Sequence, residues 1–159
     1  MNRFLAGKLS HTAYGLVGEC IAMAAILQRG WGCAMAQQDS VDLVCWNSEN
    51  GDSYLVQVRS CQESRQHKNR LYFQMGLGGT KDVNGVRTKR MPTRNDFDIL
   101  ALVATEQRTC FFMPVVGINQ IKITKQPSFF DNPEIESESW QKTLEVLNDH
   151  PKSQTMHHH

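Results

Sequence analysis

The sequence predicts an α/β domain of the α+β kind, with a mixed β-sheet flanked by helices. Three observations lead there. A helix-like run opens the chain and a second closes it. Between them lie short apolar runs of strand length, separated by turn residues. The length, 159 residues, suits one domain, assigned to residues 1–155, followed by a tag remnant at 156–159 (Met156-His157-His158-His159).

Residues 11–29 form the first helix. Ser10 or Thr12 can cap its start, and Gly30 follows its end. One stripe along it is apolar: Ala13, Leu16, Cys20, Met23 and Leu27. A second stripe is small: Gly15, Gly18, Ala22 and Ala25. Small side chains at helical spacing let another backbone approach closely. Glu19, the only acid of the run, lies within one turn of Gly15 and Ala22. An acid beside a small and apolar surface needs a reason, whereas an exposed one does not.

Strands follow at 31–36, 41–46 and 54–59. The last two are joined through Asn50-Gly51, a strong hairpin signal. Residues 71–77 can form a fourth strand. A Gly- and Arg-rich stretch, 78–94, leads to strands at 99–104 and 110–116, joined by a turn at 105–108. Residues 118–134 read as irregular, with Pro127 and Pro133. The closing helix, 137–148, carries Trp140, Leu144 and Leu147 on one face.

Composition narrows the class. Hydrophobic residues are 40%, charged residues 21% and mean hydropathy is −0.43, which excludes collagen-like, mucin-like and fully disordered chains. No apolar run approaches the roughly 20 residues that span a bilayer. Residues 1–10 carry Arg3 and Lys8 without a long apolar core, so no signal peptide is expected. His11, His67 and His150 are too scattered to suggest a metal cluster. The five cysteines lie 13, 12, 16 and 49 residues apart, with no zinc or redox spacing. They read as buried free thiols of a reducing, cytoplasmic compartment.

The net charge of +1 hides an uneven distribution. Residues 1–58 are net −2 and residues 131–149 net −5, whereas residues 59–94 are net +7. A basic block punctuated by Gly and Asn suits a polyanion, because each cation neutralises a phosphate and releases a counterion. Arg65, Lys68, Arg70, Lys81, Arg87, Lys89, Arg90 and Arg94 are the candidate DNA contacts.

The chemistry lies in the middle strands. Asp42 is an acid inside the apolar run Val41-Asp42-Leu43-Val44. In Tyr54-Leu55-Val56-Gln57-Val58-Arg59, strand alternation puts Gln57 and Arg59 on one face. The hairpin lays Asp42 beside them, and Glu19 can reach the group from the packed helix. Carboxylate and amide oxygens suit a hard cation such as Mg²⁺. A fixed positive charge beside it can orient water or stabilise charge at phosphorus.

Glu19, then Val-Asp42-Leu, then Gln57-Val-Arg59 resembles the core of the PD-(D/E)XK, or restriction-endonuclease-like, nucleases. That family's pattern is a helix acid, a strand Asp, then an acid or amide, one residue, and Lys. Gln before the x-Lys is typical of the branch of group I intron-encoded homing endonucleases and their relatives. The stretch from Asp96-Phe97-Asp98-Ile99 to Val103, the following Cys110-Phe111-Phe112-Met113-Pro114, and Trp140 in the closing helix are similar to the same branch. Arg59 stands where the family has Lys. Lys can lose a proton when buried, whereas Arg stays protonated.

The resemblance implies a restriction-endonuclease-like core and a Mg²⁺-dependent DNA endonuclease, with Mn²⁺ able to substitute. Glu19, Asp42 and Gln57 would hold the metal, and Arg59 would orient water or steady the transition state. Double-stranded DNA is the expected partner, no membrane is involved, and cutting two strands implies a homo-oligomer, a dimer or tetramer. The alternatives are a non-cleaving nucleic-acid-binding domain with a degenerate nuclease site, or a four-way-junction resolvase.

Overall fold

The structure, a computed structural model, describes residues 10–61, 70–78, 83–86 and 88–152, apart from the side chains of His11 and Gln37. Helix α1 spans His11–Gln28 and is capped by Ser10, whose hydroxyl accepts from the Ala13 N–H at 3.2 Å. Strands β1 (Gly32–Gln38), β2 (Val41–Trp46) and β3 (Ser53–Cys61) follow as an antiparallel meander. Next come β4 (Leu71–Gln74), β5 (Ile99–Ala104), β6 (Thr109–Pro114) and β7 (Lys122–Lys125). A 3₁₀ turn at Pro127–Asp131 leads into helix α2, Glu134–Asp149.

The main sheet has the order β1-β2-β3-β5-β6 and is mixed: β3 and β5 run parallel, and the other pairs are antiparallel. This bears out the mixed α+β architecture. β5 is buried at all six positions, as expected of a central parallel strand covered on both faces. The β2–β3 hairpin turns where expected, with Gly51 at φ +77°.

Both helices cover one sheet face. Ala22, Ala25 and Ile26 of α1 and Trp140 and Leu147 of α2 pack there with Leu43, Val58 and Ala101. A second core lies on the opposite face, where Leu71, Phe73 and Phe130 meet Cys61, Leu100 and Leu102. The small stripe of α1 is the one that packs inward. Gly18 sits so close to β3 that a Cβ built there would come 1.7 Å from Ser60 Oγ and 2.9 Å from Ser60 Cβ. Of the bulkier stripe, Leu16 and Leu27 face outward, 54% and 49% exposed, whereas Met23 packs against the core.

Three expectations are corrected. Residues 118–134 are not wholly irregular: β7 pairs with β4 as a two-stranded ribbon, and the 3₁₀ turn follows. Four residues, Lys-Ile-Thr-Lys, are too few for a periodic signal, and the pairing partner is remote in sequence. The strand expected over 71–77 ends at Gln74, beyond which Leu77 makes only an isolated bridge to Arg90. The cysteines are all free, but only Cys45, Cys61 and Cys110 are buried: Cys33 is half-buried, and Cys20 is exposed on the outer side of α1. Among the described residues, no helix is long and apolar enough to cross a membrane.

Candidate active site

The site forms where two strands part. The β2–β3 ladder runs from Trp46–Ser53 to Leu43–Val56 and stops. One residue further, the Asp42 carboxylate replaces the missing rung: Oδ2 accepts the Val58 N–H at 2.8 Å and Gln57 Nε2 at 2.9 Å. On the other side of β2, the pairing with β1 shifts register between Met35 and Gln38, opposite this same segment. Such a bulge re-aims side chains and opens a ladder. Asp42 therefore stands in a gap between strands, within reach of side chains from the helix-covered face as well as the other.

Glu19 reaches it from α1. The contact of Gly18 on Ser60 presses the helix against β3 and sets Glu19 beside the gap. Glu19 and Asp42 are neighbouring carboxyl groups, each raising the cost of charge on the other. Burial raises the pKa of Glu19 first, and the nearby Asp42 charge raises it further.

Gln57 and Arg59 share the opposite face of β3, as alternation requires. Gln57 is only 6% exposed, and its Oε1 is buried without a hydrogen-bond partner. A buried acceptor left unpaired costs about 1–3 kcal/mol unless a donor or cation meets it. Burial lowers the pKa of Arg59, against which the neighbouring Asp42 acts, and Arg59 Nε is likewise buried without a partner. Asp42 thus neighbours the other three residues read from the sequence: Gln57 through a hydrogen bond, Glu19 and Arg59 through its charge. Among the described residues, no three His, Cys, Asp or Glu side chains group as metal ligands. The donor set here is two carboxylates and one amide oxygen, all oxygen donors of the kind a hard cation takes. The orphaned Gln57 Oε1 and the repelling carboxyl pair fit such an ion.

The basic candidates divide. Arg65, Lys68, Lys81 and Arg87 lie outside the described residues. Arg70 and Lys89 are exposed. Arg90 clamps Asp96 with both Nη atoms, at 2.8 and 2.6 Å, and is 58% exposed at its side chain. Arg94 turns inward: its Nε donates to Asp98 at 2.8 Å and its Nη1 to the His150 carbonyl. Asp98, 1% exposed, also accepts the Leu55 N–H at 2.8 Å and meets Lys152 Nζ at 3.0 Å, tying β3, β5 and the end of α2 together. Sequence reasoning quoted Asp98 only as part of a pattern and missed Ser60. The small stripe around Gly18 was the available signal for a close approach, but nothing in the sequence names what it approaches.

The fold has a counterpart among solved structures. The chain is similar to a bacterial homing endonuclease, I-Ssp6803I, at 19% identity and a TM-score of 0.67, over 91% of this chain and 100% of that one. No family model matches the chain, and no curated protein matches it. At that identity, the likeness establishes a common fold.

Proposed function

We propose that this chain is a metal-dependent DNA endonuclease of the restriction-endonuclease-like, or PD-(D/E)XK, type. The observation that carries the reading is Asp42 in the gap between β2 and β3, with Gln57 bonded to it and Glu19 and Arg59 beside it. The fold shared with a homing endonuclease supports it.

Glu19, Asp42 and Gln57 would hold Mg²⁺ or Mn²⁺. Such an ion lowers the pKa of bound water and neutralises charge on phosphoryl oxygens. The chain's own contribution is positional. The Val58 N–H and the Gln57 amide fix Asp42, and α1 fixes Glu19. Arg59 keeps its proton, so it can orient an attacking water and stabilise negative charge but cannot act as the base. Duplex cleavage by this site requires two copies of the chain, in a dimer or tetramer. The uncharged outward stripe of α1, Leu16, Cys20 and Leu27, supports self-association because two copies could meet there without like-charge repulsion.

The test is relaxation of supercoiled plasmid carrying randomised inserts, with Mg²⁺ or Mn²⁺ and with chelator. Arg59→Lys should be tolerated and should speed the chemical step, because an amine crowds the water less than a guanidinium. Arg59→Ala should slow it by more than ~10²-fold, the scale of losing one stabilising group. Full activity in Arg59→Ala would remove Arg59 from the site. The second reading, a non-cleaving binder, rests on Arg in place of the family Lys. It takes over if native and variant chains bind DNA yet never cut.

A further inference from the structure

We infer that the β4–β7 ribbon is the element that reads base edges in the major groove of duplex DNA, with Gln74, Lys122 and Thr124 as its reading side chains. The inference rests on the nuclease reading and names the surface that would select its substrate.

The ribbon is two-sided. Leu71 and Phe73 are 0% and 1% exposed and face the second core. Alternation turns Tyr72 and Gln74 the other way, and the register sets Thr124 opposite Tyr72 and Lys122 opposite Gln74. The outward face is thus an aromatic ring, an amide, a hydroxyl and an ammonium. Lys122 Nζ lies 4.0 Å from the Tyr72 ring centroid, which holds the cation over the ribbon. The face continues at Gly76, where an added Cβ would lie 3.0 Å from Lys89 Cβ and 3.5 Å from Gln74 Nε2. Lys89 and Gln74 therefore converge on a residue with no side chain of its own.

Charge and shape select the partner. Neither strand contains an acid, and Arg70 and Lys89 border the face. A polyanion is favoured there. B-DNA's major groove admits a two-stranded β-ribbon, whereas the deep, narrow major groove of duplex RNA does not. Amide and hydroxyl groups carry both donors and acceptors, which phosphate contact alone does not require. Gln pairs bidentately with adenine, Lys with guanine, and Thr offers a methyl to thymine. The inner face of the ribbon packs against Cys61, Leu100 and Leu102, on the same side of the sheet as Gln57 and Arg59. The ribbon and a duplex held by it therefore lie on the side of the sheet that bears Gln57 and Arg59.

The experiment is selection from a pool of duplex DNA with a randomised central segment, in Ca²⁺ to hold back cleavage. The native chain, Gln74→Ala and Lys122→Ala are compared, and melting curves verify the fold. The native chain should enrich a defined sequence. Gln74→Ala should lose preference at one or two positions, by about tenfold to a hundredfold, with little change on unselected duplex. Lys122→Ala should lose a preference for guanine at one position, by about tenfold to a hundredfold, and, with one cation fewer, should also bind unselected duplex more weakly. Should Gln74→Ala melt early, Gln74→Glu keeps the shape and should still change the selected base. Unchanged selection in these variants overturns the ribbon assignment alone, as does equal binding of a duplex RNA of the same length. A native chain that binds no duplex overturns the nuclease reading, and the ribbon with it.

Discussion

Gly18→Ala is a one-methyl test of how α1 delivers Glu19. The new Cβ would lie 2.9 Å from Ser60 Cβ and 1.7 Å from Ser60 Oγ. The hydroxyl can rotate away, but the Cβ cannot. Carbon atoms sit comfortably at about 3.5–4.0 Å, so helix and strand must separate by roughly 0.6–1 Å. Overpacking of this kind costs about 1–3 kcal/mol, and replacing a mid-helix Gly by Ala returns about 1 kcal/mol. The net loss of stability should be about 0–2 kcal/mol. Catalysis should suffer more, because Glu19 is the next residue and a displacement of about 1 Å can cost ~10²-fold in rate. Ser60→Gly removes both clashing atoms, so the double variant Gly18→Ala/Ser60→Gly should regain most of the rate. The assays are urea unfolding and single-turnover cleavage on all four members of the cycle. A coupling of about 0.5–3 kcal/mol between the two positions is expected. Additive stabilities, or native cleavage by Gly18→Ala alone, would refute the close-contact argument.

Two further outcomes follow from the structure. Asp98→Ala should destabilise the fold by about 3–5 kcal/mol in urea unfolding, since it leaves the Leu55 N–H and the largely covered Arg94 guanidinium without their partner. The Asp96 carboxyl is held down to about 2 by the Arg90 hydrogen bonds. A folded value below the unfolded one stabilises the protein above the unfolded pKa, near 4, and that contribution is lost as pH falls from about 4 to 2. Arg90→Ala should therefore flatten the acid limb of stability against pH in this window, and an unchanged limb would remove the pair from the account.

Much of the fold was legible because its signals are local. Asn50-Gly51 marks a turn that needs positive φ, and the run Ile-Leu-Ala-Leu-Val-Ala announces a strand covered on both faces. β7 was not legible, since four residues of mixed polarity become a strand only when Leu71–Gln74 lie alongside. The candidate site was legible for a different reason. Asp42, Gln57 and Arg59 each break an apolar strand pattern, and Glu19 breaks an apolar helix, so each stands out against what packing alone would choose. The means of assembly stayed hidden. The early end of the β2–β3 ladder and the Gly18–Ser60 contact are tertiary facts with no local signature. The basic block was legible as charge but not as geometry. Arg94, drawn inward to Asp98, looks no different in sequence from the exposed Lys89.

The central claim is that Asp42 is kept for chemistry at some expense of stability. Asn can still accept the Val58 N–H, and it removes one of the two carboxyl groups that repel across the gap. The decisive measurement is the single-turnover cleavage rate of Asp42→Asn with Mg²⁺ and with Mn²⁺, on the native chain's best substrate, taken with the melting temperature of both chains without metal. The account predicts cleavage lost with the melting temperature kept or raised. Cleavage at the native rate by a folded Asp42→Asn would contradict it.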